Sequence, residues 1–326
     1  MDQPPAALTR RSLVTGFAIG FAARPARAAA WPERPVRLVT PAAPGSSTDL
    51  AARLYAERLA MAWAQPVLVE PRTGADGVIA AEAMLAARDG HSLLFGPAGV
   101  LTVTPLLRDR LPFEPARDIV PLSLAANDFL CVAVSAALAE VRSLGDLARL
   151  ARARPGQLNM AAGLGGLTLA LPAFLRAHRL EVTTASYRSP PEAIPDLVAG
   201  RLHVLLGPLA PMMPLLRDGR ARVLAVTNPE RTPVVPQIPT VREEGFPELE
   251  VEGTIGLYGP AALPRDARDR VAETMARAAG EPALAERLRG AGVIARAEGP
   301  DAFAARIERQ RAHWTAVVRA RDAGQT

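Results

Sequence analysis

Beyond residue 30 the chain repeats one alternation. Short apolar runs give way to longer stretches in which apolar positions recur at helical spacing. The strand-like runs are VRLVT from Val36, VLVE from Val67, SLLFG from Ser92, LCVAV from Leu130, LNMAA from Leu158, VTTASY from Val182, HVLLG from His203, RVLAVT from Arg222 and TIGLYG from Thr254. Helices are expected between them over 48–63, 143–153 and 191–199, with Ser143 and Asp146 as a capping signal at the second. Towards the C-terminus Phe303, Ile307, Trp314, Val317 and Val318 share one helical face, which makes Trp314 a core anchor. Strands and helices in this order predict an α/β fold with largely parallel sheets.

The pattern is interrupted twice. AANDFLCVAVSAALAEV follows a long irregular stretch, and the segment from Asn228, NPERTPVVPQIPTVREEGFPELEVEG, is rich in proline before an apolar strand resumes. Alternating β and α on both sides of these places fits two lobes joined by two crossings, with a cleft between them. The expected division is 31–135 with 250–326 in the first lobe and 136–249 in the second.

Three glycine-bearing loops follow strands: APGSSTD from Ala43, GPAGV from Gly96 and AAGLGGLTL from Ala161. In open α/β sheets ligands collect at the carboxyl ends of strands, where such loops lie. The first loop runs straight into a helix and has two readings. In one, Ser47 or Thr48 is an N-cap, Asp49 complements the helix dipole and Gly45 permits a tight turn. In the other, Gly45, Ser46 and Ser47 leave backbone amides bare so that an anion can dock on them. The residues by themselves leave both open.

The chain has 326 residues, 49% of them hydrophobic, enough for one large domain or two medium ones. Its net charge of +5 rests on arginine, for there is no lysine. Much of that excess is N-terminal: Arg10, Arg11, Arg24 and Arg27 stand against Asp2 within the first thirty residues. Elsewhere arginines are interspersed with acids, as in RDARDRVAETMARAAGEPALAERLR, and no basic tract interleaves with aromatics. This argues against nucleic-acid binding.

The same N-terminal segment, LTRRSLVTGFAIGFAARPARAAAW, has the form of an export signal: paired arginines, an apolar run of about a dozen residues and small residues before Trp31. Residues 1–30 are expected to direct export to the periplasm by a Sec or twin-arginine route. A membrane anchor would need about twenty apolar residues.

Chemistry-bearing motifs are sparse. Cys131 is the single cysteine, so there is no intrachain disulfide or CxxC site, and its apolar setting, FLCVAV, marks a buried thiol. His91, His178, His203 and His313 are dispersed without metal-ligand spacing, and no GxSxG elbow occurs. With no positioned nucleophile or acid–base pair, no enzymatic activity, metal or cofactor is expected.

Several segments in order resemble the Bug-type periplasmic solute-binding proteins of the tripartite tricarboxylate transporter family. They are WPERPVRLVTPAAPGSSTDLAARLYAERL, QPVLVEPRTGADGVIAAEAMLAARDGHSLLFG, LPFEPARDIVPLSLAA, RPGQLNMAAG, LVAGRLHVLLGPLAPMMPLLRDGRARVLAVT and VPQIPTVREEGFPELEVEG. The resemblance implies a two-lobed type II periplasmic-binding-protein fold with Venus-flytrap closure. It also implies capture of a small organic carboxylate for a membrane permease; the same closure could instead present the ligand to sensor subunits.

Carried over by residue, the first ligand loop falls on Ala43, Pro44, Gly45, Ser46, Ser47, Thr48 and Asp49. The second falls on Gly96, Pro97, Ala98, Gly99 and Val100, without its usual hydroxyls. The second-lobe loop includes Gly163, Gly165 and Gly166, with Leu169 in the place of a usual histidine. Gly207 stands where many members have an aspartate, and Tyr187 and Arg188 match the family's tyrosine and basic residue. A pocket so depleted of polar side chains implies a monocarboxylate with an apolar or aromatic body over a di- or tricarboxylate.

Overall fold

A computed structural model describes residues 31–163, 165–187 and 190–324; the expected export signal lies outside them. The first sheet grows from β1 (Val36–Thr40), whose Val36, Leu38 and Val39 are buried, with β2 (Val67–Pro71) and β3 (Ser92–Pro97) parallel on either side. Helix α1 (Ser47–Trp63) connects β1 to β2, and α2 (Val78–Ala87) connects β2 to β3. α1 is alanine- and leucine-rich, which favours the helix. It buries Ala51, Ala52, Leu54, Tyr55, Leu59 and Trp63 in the sheet's core. Its C-cap, Ala64, turns into the left-handed region and ends it.

Three short helices follow: α3 (Gly99–Thr102), α4 (Thr104–Leu107) and α5 (Pro115–Asp118). They lead into β4 (Ile119–Asp128), a long strand that the sequence pattern did not pick out because Pro121 interrupts it. After Phe129 the chain enters β5 (Leu130–Ser135), which belongs to a different sheet.

The second sheet is completed by α6 (Leu144–Ala153), β6 (Asn159–Ala162), α7 (Leu167–Ala177), β7 (Thr183–Thr184), α8 (Pro190–Val198), β8 (Val204–Pro208), α9 (Met212–Arg217) and β9 (Ala221–Val226). As expected, Ser143 caps α6, its hydroxyl accepting from the Asp146 amide at 3.0 Å. The chain then returns through the proline-rich segment to β10 (Thr254–Pro260), α10 (Arg265–Ala279), α11 (Pro282–Gly290), β11 (Val293–Glu298) and α12 (Pro300–Ala323).

The strand order is β11-β4-β10-β3-β1-β2 in the first sheet and β7-β6-β8-β5-β9 in the second. The expectation of largely parallel sheets needs correction. β10 is antiparallel to both β3 and β4, β11 to β4, and β5 to both β8 and β9. Apolar runs show that a strand is buried but carry no direction, and the strands that follow a crossing enter their new sheet reversed.

The crossings lie side by side. The Asp128 amide donates to the Gly253 carbonyl at 3.0 Å, the Thr227 amide to Leu130 at 2.9 Å and the Leu130 amide to the Asn228 side chain at 3.1 Å. Gly253 has to be glycine, since a Cβ there would lie 1.9 Å from the Asp128 carbonyl oxygen. β5, placed with the first lobe by the sequence division, thus pairs in the second sheet.

α12 serves both halves. Phe303 and Ile307 pack with Val39, Leu94 and Tyr258 of the first sheet, as the shared apolar face requires. Trp314 enters the core of the second sheet, with Val317 and Val318 packed against it. A helix assigned whole to the first lobe therefore ties the two together. No helix among the described residues is long and apolar enough to cross a membrane.

Candidate functional site

The loop after β1 is built by hydrogen bonds inside itself. Gly45 takes a φ of +81°, a conformation that glycine adopts without strain. The Ser46 amide donates to Ala43 at 3.1 Å, and the Gly45 amide to the Asp49 carboxylate at 3.0 Å. In return the Ser46 hydroxyl accepts from the Asp49 amide at 3.3 Å. This reciprocal arrangement is a capping box in form, and Asp49 is held further by Arg53 at 3.1 Å.

Two expectations are corrected here. The N-cap is Ser46, not Ser47 or Thr48. The amides of Gly45 and Ser46 are already occupied, so they do not form the bare cradle. The amides of Ser47 and Thr48 have no acceptor among the described residues. They stand at the positive end of a 17-residue helix.

Ser47 also marks what the sequence reading missed. Its hydroxyl donates at 3.0 Å to Asp128 Oδ2, across the space between α1 and the first crossing. Asp128 is buried, and desolvation pushes its carboxyl up to about 7 against the smaller lowering effect of Ser47. The same burial, with the nearby Asp128 charge, pushes the Cys131 thiol up. The signal was present in AANDFL as an acid at the junction of two apolar strands. Only the fold brings it under α1.

The second loop contributes backbone. Gly96 packs against Pro41, where a Cβ would fall 2.9 Å from the ring. Ala98 and Val100 are buried in the first sheet's core, and the Ala98 amide donates to Thr254 at 2.9 Å, so Ala98 is not available as a ligand contact. Gly99 is different. A Cβ on it would lie 3.5 Å from the Cα of Gly165, so the loops of the two halves meet at these glycines.

Around Gly165 the remaining expectations divide. Gly163 donates its amide to Leu206 at 2.7 Å and extends the sheet. Gly166 is fixed by packing: a Cβ there would fall 2.4 Å from Trp314 and 2.9 Å from Val251. Leu169 is buried in the second core. Tyr187 donates its hydroxyl to Asp196 at 2.8 Å, and Asp196, held also by Arg201, keeps its carboxyl below the ordinary range. Gly207 is buried opposite Cys131 in the sheet, where an aspartate would be desolvated. Arg188 lies outside the described residues. Of the residues carried over, Gly99 and Gly165 meet across the two halves, and Ser47 and Thr48 keep amides without a described acceptor at the start of α1.

A separate cavity of about 300 Å³ lies beside the crossings, lined by Asn127, Phe129, Asn228, Glu252 and Arg306 among others. Arg306 is paired there with Glu252 and Glu298, so its charge is neutralised within the protein.

Two α/β sheets joined by paired crossings, with glycine loops at the strand ends, define the class of periplasmic binding proteins. Solved structures of that class superpose closely. R. palustris Rpa4515, solved with adipate, is 29% identical with a TM-score of 0.82, covering 89% of this chain and 97% of its own. MatC of Rhodopseudomonas palustris, solved with malate, is 26% identical with a TM-score of 0.78, over 88% and 99%. Protein BugT of Bordetella pertussis is 30% identical over 263 residues, 78% of this chain and 79% of its own. Residues 51–323 match the profile of the tripartite tricarboxylate transporter family receptor, and the chain belongs to that family.

Proposed function

We propose that the chain is exported behind residues 1–30 and works in the periplasm as the receptor of a membrane permease, capturing a small organic carboxylate between its two lobes. The observation that carries this reading is the pair of unpartnered amides, Ser47 and Thr48, at the start of α1. They sit where an open α/β sheet places its ligands, and a carboxylate there gains two charge-assisted hydrogen bonds together with the helix dipole. Family membership supports a receptor role, and the relatives solved with adipate and malate support an organic acid as ligand.

Gly99 and Gly165 bring only glycine backbone together where the other loops meet, and among the described expected contacts Asp49 is taken up by Arg53 and Tyr187 by Asp196, which leaves neither for a second carboxylate. The preferred ligand in this reading is therefore a monocarboxylate with an apolar body. Thermal-shift and calorimetric titration of hexanoate against its dicarboxylate analogue, adipate, tests it. Each uncompensated polar group disfavours binding by about 1–3 kcal/mol, so hexanoate is expected to bind roughly five- to a hundred-fold more tightly. Tighter binding of adipate removes the monocarboxylate preference, and failure of a broad panel of organic acids to stabilise the protein removes the receptor reading itself.

A further inference from the structure

Beneath the first turn of α1, one buried acid has no part in the reading above. Asp128 ends β4 at the first crossing and is 8% exposed. Its Oδ2 is 3.0 Å from the Ser47 hydroxyl, while Oδ1 is buried with no hydrogen-bond partner. The neighbouring arginines are committed elsewhere, Arg53 to Asp49 and Arg306 to Glu252 and Glu298. Among the described residues Asp128 thus has no counter-ion, and it lies one hydroxyl away from a proposed anion cradle.

The hydroxyl of Ser47 has one proton to direct. While Asp128 is ionised, Ser47 donates to it and leaves only lone pairs for an anion on the adjacent amides. When Asp128 is protonated, the same 3.0 Å contact can run in reverse, with Asp128 as donor, and the Ser47 proton is released to a ligand. Charge acts in the same sense. An ionised Asp128 repels an anion at the Ser47 and Thr48 amides through a poorly screened interior, and a neutral one does not.

We propose that Ser47 and Asp128 form a proton-linked specificity pair, so that an anionic ligand is accepted at the start of α1 together with a proton on Asp128. This rests on the reading that a carboxylate binds there. The unpartnered Oδ1 supports the neutral form, which has fewer acceptor sites to satisfy, and burial places the titration near neutrality, at about 7.

The other ionisable groups on the elements around Asp128 do not supply the same linkage. Asp49 on α1 is paired with Arg53; Glu252 beside Gly253 and Glu298 on β11 are paired with Arg306. Arg296 on β11 is exposed. Cys131 on β5 is a thiol pushed further from neutrality. His313 is on α12, two turns beyond Arg306 and in edge contact with Trp314 in the other half, and the other three histidines lie on none of these elements.

The test is calorimetric titration of the wild-type protein with hexanoate and with adipate from pH 6 to pH 9, in buffers of different ionisation heat. Simple carboxylic acids are ionised across that range. Affinity is expected to weaken by nearly tenfold per pH unit above about 7, with close to one proton taken up per ligand bound at pH 8. Asp128→Asn should flatten the profile and abolish the proton uptake, and Ser47→Ala should weaken binding at pH 6. Binding by the wild type with no pH dependence and no proton uptake overturns the pair alone. So does an Asp128→Asn protein that keeps the wild-type profile. If neither acid binds at any pH, the capture of these carboxylates falls and the pair falls with it. Proton uptake is read on the wild-type chain, so the test stands even where a variant does not fold.

Discussion

The loops that open α1 and α7 look alike in sequence, each a glycine-rich turn between a strand and a helix, yet their glycines answer different demands. At Gly45 a Cβ would meet nothing within 4 Å, and what requires glycine is a φ of +81°. At Gly166 φ is unexceptional, −56°, and what requires glycine is the Trp314 ring, 2.4 Å from where a Cβ would be. The first loop is knitted by polar bonds to Asp49, leaving two amides over. The second is a seat for the C-terminal helix, and its N-cap makes no side-chain hydrogen bond. Backbone angle in one half and space in the other give the same letters, so a glycine in a strand-end turn does not by itself say which demand it meets.

The sharpest way to break this comparison is through Trp314. It is 5% exposed in the second core, and Trp314→Ala should cost about 3–5 kcal/mol in chemical denaturation. Gly166→Ala should cost about 1–3 kcal/mol in the wild type through overpacking, and much less in the Trp314→Ala background, where the ring is gone. Strictly additive costs would mean that Gly166 is glycine for some reason other than the helix, and the two loops would be more alike than the contacts indicate.

The next effect belongs to the buried acid beneath the first loop. The folded-state carboxyl of Asp128 is raised from 3.8 to about 7, so its protonation favours the fold fully below pH 3.8 and the advantage is lost as pH rises through about 7. Relative to Asp128→Asn, the wild type should lose stability on the order of a few kcal/mol between pH 4 and pH 8, at roughly 1.4 kcal/mol per pH unit. Urea denaturation of the pair at several pH values reads this directly. A flat difference would show that Asp128 ionises as easily in the fold as out of it.

These two residues also mark how far the sequence could be read. Trp314 was legible as a core anchor from its spacing with Phe303 and Ile307, but not which core, since periodicity identifies a buried face without its partner. The α/β class, the cap at Ser143 and the loop positions followed from local pattern. Strand direction did not, nor did the ten-residue β4 with Pro121 inside it. In the site, Ser47 and Thr48 were within the expected loop, whereas Gly166, Ala98 and Leu169 were drawn in by position and prove to be packing residues. Asp128 was missed because its partner Ser47 is 81 residues away along the chain. Burial of a lone acid becomes visible only once the crossings are closed over it.

The smallest effect separates capping from binding within the first loop itself. Ser46 and Ser143 are both N-caps, with hydroxyl-to-amide distances of 3.3 Å and 3.0 Å. Loss of such a cap costs about 1 kcal/mol, and the longer bond at Ser46 places Ser46→Ala below Ser143→Ala. The Ser46 amide is spent on Ala43 and its hydroxyl accepts from the Asp49 amide, so no backbone donor of Ser46 is left over for a ligand. Ser46→Ala should therefore lower stability slightly in denaturation while hexanoate affinity stays within about twofold, a difference of about 0.4 kcal/mol. Ser47→Ala should cost affinity, together with the stability lost when the buried Asp128 carboxyl is left without its hydrogen bond. If Ser46→Ala weakened hexanoate as strongly as Ser47→Ala, cap and cradle would be one structure, and the distinction drawn between adjacent serines would fail.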